Sequence, residues 1–169
     1  TMSVGKTTLV KALQDLSEFK DYNFATERSK YLNDLGIPLN TDSTLKGQTV
    51  FLAERCAELM NDNIITDRTI FDVIAFTQNA KSIARQDKEI FEDYAKEFLR
   101  EYDYIFYISP DGLPIEDNGV RETDEHYRDI IDFTITTLIK KYGHRCPSIE
   151  KISGSTDERI QQILNITGL

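Results

Sequence analysis

Strands alternating with helices along 169 residues predict an α/β domain with a mainly parallel sheet. Three observations carry that reading. Short strand-like runs at 21–26, 63–66, 104–108 and 148–152 are separated by amphipathic stretches long enough to be crossover helices. The run Tyr104-Ile105-Phe106-Tyr107-Ile108 is continuously apolar, as a strand covered on both faces would be. Finally, Gly5-Lys6-Thr7-Thr8 stands directly before a helical pattern.

Each element has its own signal. A helix over 7–16 carries Leu9, Val10, Leu13 and Leu16 at helical spacing. The strand 21–26 is aromatic, and 63–66 is β-branched. A helix over 43–60 turns Leu45, Val50, Leu52, Ala53, Ala57 and Met60 inward. Helices follow at 71–84 and 88–100, then the buried strand 104–108. The helix 123–142 packs through Ile130, Phe133, Ile135, Leu138 and Ile139. The strand 148–152 alternates and suits a sheet edge, and a helix over 157–166 closes the chain. The segment 109–118 holds two prolines, a glycine and three acids, and reads as a mobile surface loop rather than a linker. The chain is therefore one domain, residues 1–169, with a lid region around 110–128.

Composition excludes several classes. Hydrophobic residues make up 40% of the chain, enough to fill a core, so disorder is not expected. No apolar run approaches the ~18 to 20 residues of a membrane span. Cys56 and Cys146 alone make neither a disulfide framework nor a zinc cluster, which points to a reducing, cytoplasmic setting. With 29 acidic and 20 basic side chains the formal net charge is −9, which disfavours a general nucleic-acid coat but allows a local basic pocket.

Gly5-Lys6-Thr7-Thr8 ends a phosphate-binding loop of the form G-x-x-x-x-G-K-[ST]. Ser3 and Val4 lie among its variable positions, and its first glycine falls one place before Thr1. Gly5 lets the backbone curl onto phosphate oxygens, and the amides through Thr8 form an anion nest at a helix N-terminus. Lys6 brings charge to the β- and γ-phosphates, and Thr7 offers a hydroxyl to Mg²⁺. In folds built on this loop the preceding strand is central, so roughly ten further residues are expected upstream.

Two acidic-basic pairs follow strands. Asp67-Arg68 comes directly after 63–66, at the strand end where α/β sheets bind ligands. Asp67 suits Mg²⁺ or its water, and Arg68 a bidentate phosphate contact. Glu27-Arg28 stands in the same relation to 21–26. Glu27 can accept a proton from an attacking hydroxyl or orient it, and Arg28 can hold an acceptor anion. In Asp117-Asn118-Gly119-Val120-Arg121, followed by Arg128, the two arginines are about two helical turns apart and suit a lid closing on a transferring phosphoryl group. Gly154-Ser155-Thr156 either passes beneath an adenine or makes a plain turn and cap. His126 and His144 read as surface residues.

With these residues in hand, the chain resembles the small P-loop kinases of the nucleoside and nucleotide kinase group, and most closely the AAA_28, or NadR-like, kinase domains. That family includes a ribosylnicotinamide kinase domain and many phage proteins. Asp67-Arg68-Thr69 resembles the Asp-Arg-x motif of thymidylate and deoxynucleoside kinases, and Asp72 belongs to the same pattern. The resemblance implies a three-layer P-loop NTPase fold with a parallel sheet of order 2-3-1-4-5. The first strand of that sheet would lie upstream of Thr1. It also implies ATP and Mg²⁺, a base at Glu27, and lid arginines at Arg121 and Arg128. No tryptophan stands near Glu27 to stack a base; Tyr22, Phe24, Tyr31, Phe71 and Phe76 are the candidates in its place. No N-K-x-D guanine motif is present, in keeping with ATP.

Three functions fit. The first is an ATP-dependent phosphotransferase acting on a nucleoside or nucleotide. The second is a kinase of a modified, hydroxymethyl-type pyrimidine in phage DNA, which would need Lys11, Lys20, Arg28, Lys30, Lys46, Arg55 and Arg68 to form a basic face. The third is a nucleotide-dependent switch with no small acceptor. The sequence is compatible with a homodimer and points to no membrane partner.

Overall fold

The computed structural model describes residues 4–26, 28–110 and 125–169. Within these the element order is α1 (Lys6–Gln14), β1 (Asn23–Ala25), α2 (Ser29–Asp34), α3 (Leu45–Glu58), β2 (Ile64–Thr66), α4 (Ile70–Asn79), α5 (Arg85–Ala95), β3 (Tyr104–Ile108), α6 (Glu125–Tyr142), β4 (Ser148–Ile152) and α7 (Thr156–Thr167). The strands form two parallel pairs, β1 with β2 and β3 with β4. The pairs match positions 2-3 and 4-5 of the expected order.

Helices cover both faces, giving three layers. β3 shows the division through its alternation. Ile105 and Tyr107 face the cluster built by α3, α4, α5 and α6, centred on Ile70, Phe71, Ile74, Leu99 and Ile131. Phe106 and Ile108 face the cluster built by α1 and α7, with Leu9, Leu13, Ile160 and Ile163.

The two pairs share no strand-to-strand hydrogen bonds. Between β2 and β3 lies a cavity of about 970 Å³, roofed by Leu9 and Leu13 on one side and Ile135 and Ile139 on the other. This is the position that the expected order assigns to a central strand. It also explains one departure from expectation. Ile64, Ile65, Phe106 and Tyr107 are only half-buried and Tyr104 is exposed, because one edge of each pair is uncovered.

Other departures are local. Residues 96–101 tighten into a 3₁₀ turn that ends the helix begun at Arg85. Phe133 (72% exposed), Met60 (86%) and Leu45 point outward instead of joining the core. Met60 lies beyond the end of α3, and Phe133 lies on the solvent side of α6, whose buried stripe is Tyr127, Arg128, Ile131, Ile135, Leu138 and Tyr142. The short helix α2 was not expected. Residues 111–124, Glu27 and residues 1–3 lie outside the described residues, so the loop 117–121, Arg121, Glu27 and Ser3 have no structural account.

Filling the cavity with a parallel strand, by extending the chain upstream of Thr1, is expected to complete the burial of those half-covered side chains. At about 1 kcal/mol for each newly covered side chain, Tm should rise by several degrees. Amide exchange at Ile64–Thr66 and Tyr104–Ile108 should slow, as mass-spectrometric hydrogen exchange would show; unchanged exchange there would mean that the cavity holds no strand.

Candidate phosphoryl-transfer site

The site is built on a left-handed residue. Gly5, at φ 78° and ψ 19°, caps α1, a conformation a side chain would strain. Gly5, as the N-cap, brings no side chain to the helix, so its first turn presents backbone amides toward the loop. An N-terminus of this kind receives an anion. Val4 anchors the loop from below, buried among Leu9, Leu13 and Ile108.

Lys6 and Thr7 begin the helix. The Thr7 hydroxyl donates to the Asp67 carboxylate, Oγ1 to Oδ2, joining two positions sixty residues apart. Asp67 is 4% exposed and held by its backbone, whose N–H donates to the Ala25 carbonyl at 3.1 Å. That bond extends the β1–β2 ladder one step and aims the carboxylate back at the loop. Two hard oxygen donors against an anion nest suit Mg²⁺, which takes one or two carboxylates and completes its shell from phosphate and water. Among the described residues no cluster of three His, Cys, Asp or Glu side chains could serve as a self-sufficient metal cage. Thr8 continues α1 one residue on.

Arg68 lies beside this pair. Its Nη1 is 3.5 Å from Asp72 Oδ1, and its guanidinium lies 5.2 Å from the centroid of the Phe76 ring. Asp72 also closes a capping box, accepting from the Thr69 amide at 2.9 Å. Burial disfavours its ionised form, but the positive charges around it, Arg68 and Lys6 among them, and the Thr69 amide outweigh that and hold the carboxyl below its ordinary value. The Ile70 amide donates to the Tyr102 hydroxyl at 3.1 Å, so α4 begins with its orphan donors satisfied. Burial pushes the Tyr102 phenol far above its ordinary value.

Arg128 is buried in the first turn of α6. Its neighbour Tyr127 meets the Phe76 ring at 6.5 Å, so the start of α6 stands next to the Arg68 platform. Arg28 is half exposed, pairs with Glu54 at 3.4 Å and stacks on Tyr31 at 4.5 Å. Gly154, at φ 94°, makes the turn between β4 and α7; Ser155 and Glu158 then cap α7 reciprocally. The geometry therefore accounts for Gly154 as a turn. Of the aromatic candidates, Phe71 is sealed in the core, and Tyr22 and Phe24 pack with the α1–α7 cluster. Phe76 alone of the five touches the Arg68 guanidinium.

Sequence reasoning missed the buried placement of several groups. Gln48 and Arg55 share with Leu52 the buried face of α3. Arg55 pairs with Glu58 at 2.6 Å, and burial raises the Glu58 carboxyl although Arg55 opposes it. Their i, i+4, i+7 spacing was visible, but a mixed polar and apolar stripe gives no amphipathic signal. Arg159, in the first turn of α7, donates to the Val4 carbonyl at 2.7 Å; nothing in its local sequence announces that contact.

Comparison with known proteins follows this geometry. The model of the AAA_28 family, described as an AAA domain, matches residues 1–159. The chain belongs to the AAA_28 family. Two solved structures of a deoxyadenosine kinase from M. mycoides share the fold of this AAA_28 chain. One, with bound dCTP, has a TM-score of 0.66 at 18% identity; the other, with the products dCMP and a flexible dCDP, has 0.60 at 17%. Each alignment covers 99% of this chain and 95% of that one. No curated protein matches by sequence.

Asp72 links the site to pH. Its folded pKa is depressed, so its contribution to stability is complete above about pH 5 and is lost as pH falls below the ordinary carboxylate range. Asp72→Asn should lower stability at pH 7 by about 1–2 kcal/mol, chiefly through the lost cap and ion pair, and should flatten the acid limb. Urea melts at pH 7 and pH 3 check this; equal stabilities at pH 7 would refute it.

Proposed function

We propose that this chain transfers the γ-phosphoryl group of ATP, as its Mg²⁺ complex, to a nucleoside or nucleotide acceptor. One observation carries the reading: Thr7 and Asp67 meet at the mouth of an uncapped, glycine-started helix. A phosphate nest with a hydroxyl and a carboxylate converging on it has the parts needed to hold a metal-bound triphosphate.

In this reading Ser3, Val4, Gly5, Lys6, Thr7 and Thr8 hold the phosphates. Mg²⁺, held through Thr7 and Asp67, would neutralise charge on the phosphate oxygens. Lys6, Arg68, Arg121 and Arg128 stabilise the negative charge of the migrating group. Glu27 accepts or orients the acceptor's proton. Gly154, at the turn into α7, would pass beneath the adenine. Phe76, against the Arg68 guanidinium, offers a ring on which a nucleobase could stack. The resemblance in fold to a deoxyadenosine kinase supports the acceptor class. A cytoplasmic setting belongs to the same reading, with Cys56 and Cys146 as free thiols; no described helix is long and apolar enough to cross a membrane. A homodimer belongs to the same reading.

A small acceptor is favoured over a base in phage DNA by the fate of the basic residues. Arg28, Arg55 and Arg68 are each paired with a carboxylate, so three of the seven candidates for a basic face are neutralised locally. The third reading, a nucleotide switch, is separated by turnover.

The test is ADP release from MgATP across nucleosides, nucleotides and DNA oligomers. One small acceptor should stimulate turnover, and Lys6→Ala and Asp67→Asn should each cut it by about a hundredfold or more. Stimulation by DNA alone would move the acceptor to a base in a polymer. Slow hydrolysis indifferent to every acceptor would favour the switch.

A further inference from the structure

Arg159 is a buried cation without a carboxylate. It is 6% exposed, makes no ion pair among the described residues, and its Nε has no hydrogen-bond partner. Burying a charge uncompensated is costly, so its position calls for something negative nearby. Its Nη1 donates to the Val4 carbonyl at 2.7 Å and lies 3.4 Å from where a Cβ on Gly5 would stand. The guanidinium is thus seated directly behind the phosphate loop.

The geometry of such a loop explains the contact. Where successive amides turn toward an anion, the intervening carbonyls turn away and need donors of their own. Val4 precedes Gly5, and its carbonyl is satisfied from a helix 155 residues further along the chain. Arg159 is aimed there by the entry to α7. The Ser155 amide donates to Glu158 at 2.7 Å, and the Glu158 amide donates back to the Ser155 hydroxyl at 3.3 Å. That reciprocal cap fixes the first turn of α7 and hence the direction of Arg159.

We infer that Arg159 is a positioning residue for the phosphate loop and that the nucleotide's phosphate chain is its counter-charge. The inference rests on the nucleotide-binding reading above. It adds a second role, electrostatic and at longer range, to a contact whose first role is to hold a carbonyl. It also makes the turn at Gly154 a mechanical partner of the loop at Gly5, through α7.

The test uses Arg159→Gln, which removes the charge but keeps an amide donor, and Arg159→Lys, which keeps the charge. Binding of a fluorescent ATP analogue with Mg²⁺, and melting with and without it, are measured in the intact protein beside Lys6→Ala. Arg159→Gln should weaken binding about tenfold or more, as expected for a charge-assisted contact, and shrink the nucleotide-induced rise in Tm. The Tm of its nucleotide-free form should hold or rise, because an uncompensated charge has gone. Arg159→Lys should bind within about threefold of wild type. Unchanged affinity in Arg159→Gln, with Lys6→Ala defective, would overturn the inference and leave the proposed function standing. Equal loss in both Arg159 variants, together with a lowered nucleotide-free Tm, would mark a purely structural role and also overturn it. Absence of binding in wild type would sink the proposed function and this inference together.

Discussion

A left-handed backbone at Gly5 is the constraint from which the site is measured. At φ 78° it swings the chain into α1 with the helix amides exposed, a conformation costing an L side chain about 1–2 kcal/mol. Leu9 and Leu13 then clamp α1 onto the sheet, which fixes its rotation. A shift of one residue would turn Thr7 by about 100° and take its hydroxyl away from Asp67. The meeting of Thr7 and Asp67 is therefore a product of backbone conformation and apolar packing acting together. Neither motif could arrange it alone.

The sheet supplies the other half. Both strands of the β1–β2 pair run in parallel toward the same edge, and the Asp67 amide continues their ladder onto Ala25. The carboxylate stands at the C-terminal end of the pair because the ladder carries its backbone there. α4 begins two residues after Arg68, with its donors taken up by Asp72 and Tyr102. The strand end, the charged pair and the helix start thus form one rigid corner.

Much of this was legible because local pattern and tertiary role agree. The apolar stripe of α1, the run at Tyr104–Ile108 and the alternation at Ser148–Ile152 each fall in the element their period predicts. Gly5-Lys6-Thr7 and Asp67-Arg68 were legible for a chemical reason: few other roles require those types just before a helix and just after a strand. What was missed is non-local or lacks a period. Phe133 lies on α6 within an apolar stretch, but only packing decides which side of the helix meets α4. The turn α2 has no amphipathic stripe to announce it. Phe71 and Phe76 sit five residues apart on α4, one sealed in the core and the other under Arg68, a division no composition argument could make. Glu27 and Arg121 carry the same kind of signal as Asp67 and Arg68, but they lie outside the described residues and rest on the sequence alone.

The buried charges divide in a way that bears on function. Asp72 lies against Arg68, and Arg55 against Glu58, so each ion is offset within the protein and the pairs can hold shape without a ligand. Arg159 differs, since its only partner among the described residues is a neutral carbonyl. Replacing a paired buried ion leaves a charged partner stranded and destabilises the fold; replacing Arg159 strands no charge, only the Val4 carbonyl. The Val4 carbonyl needs a donor there, but a neutral amide could supply one without burying a charge. Its place directly behind the anion nest gives a reason for the charge, because the compensating charge arrives only when a phosphate does. Stability lost in the empty state then becomes affinity in the loaded one.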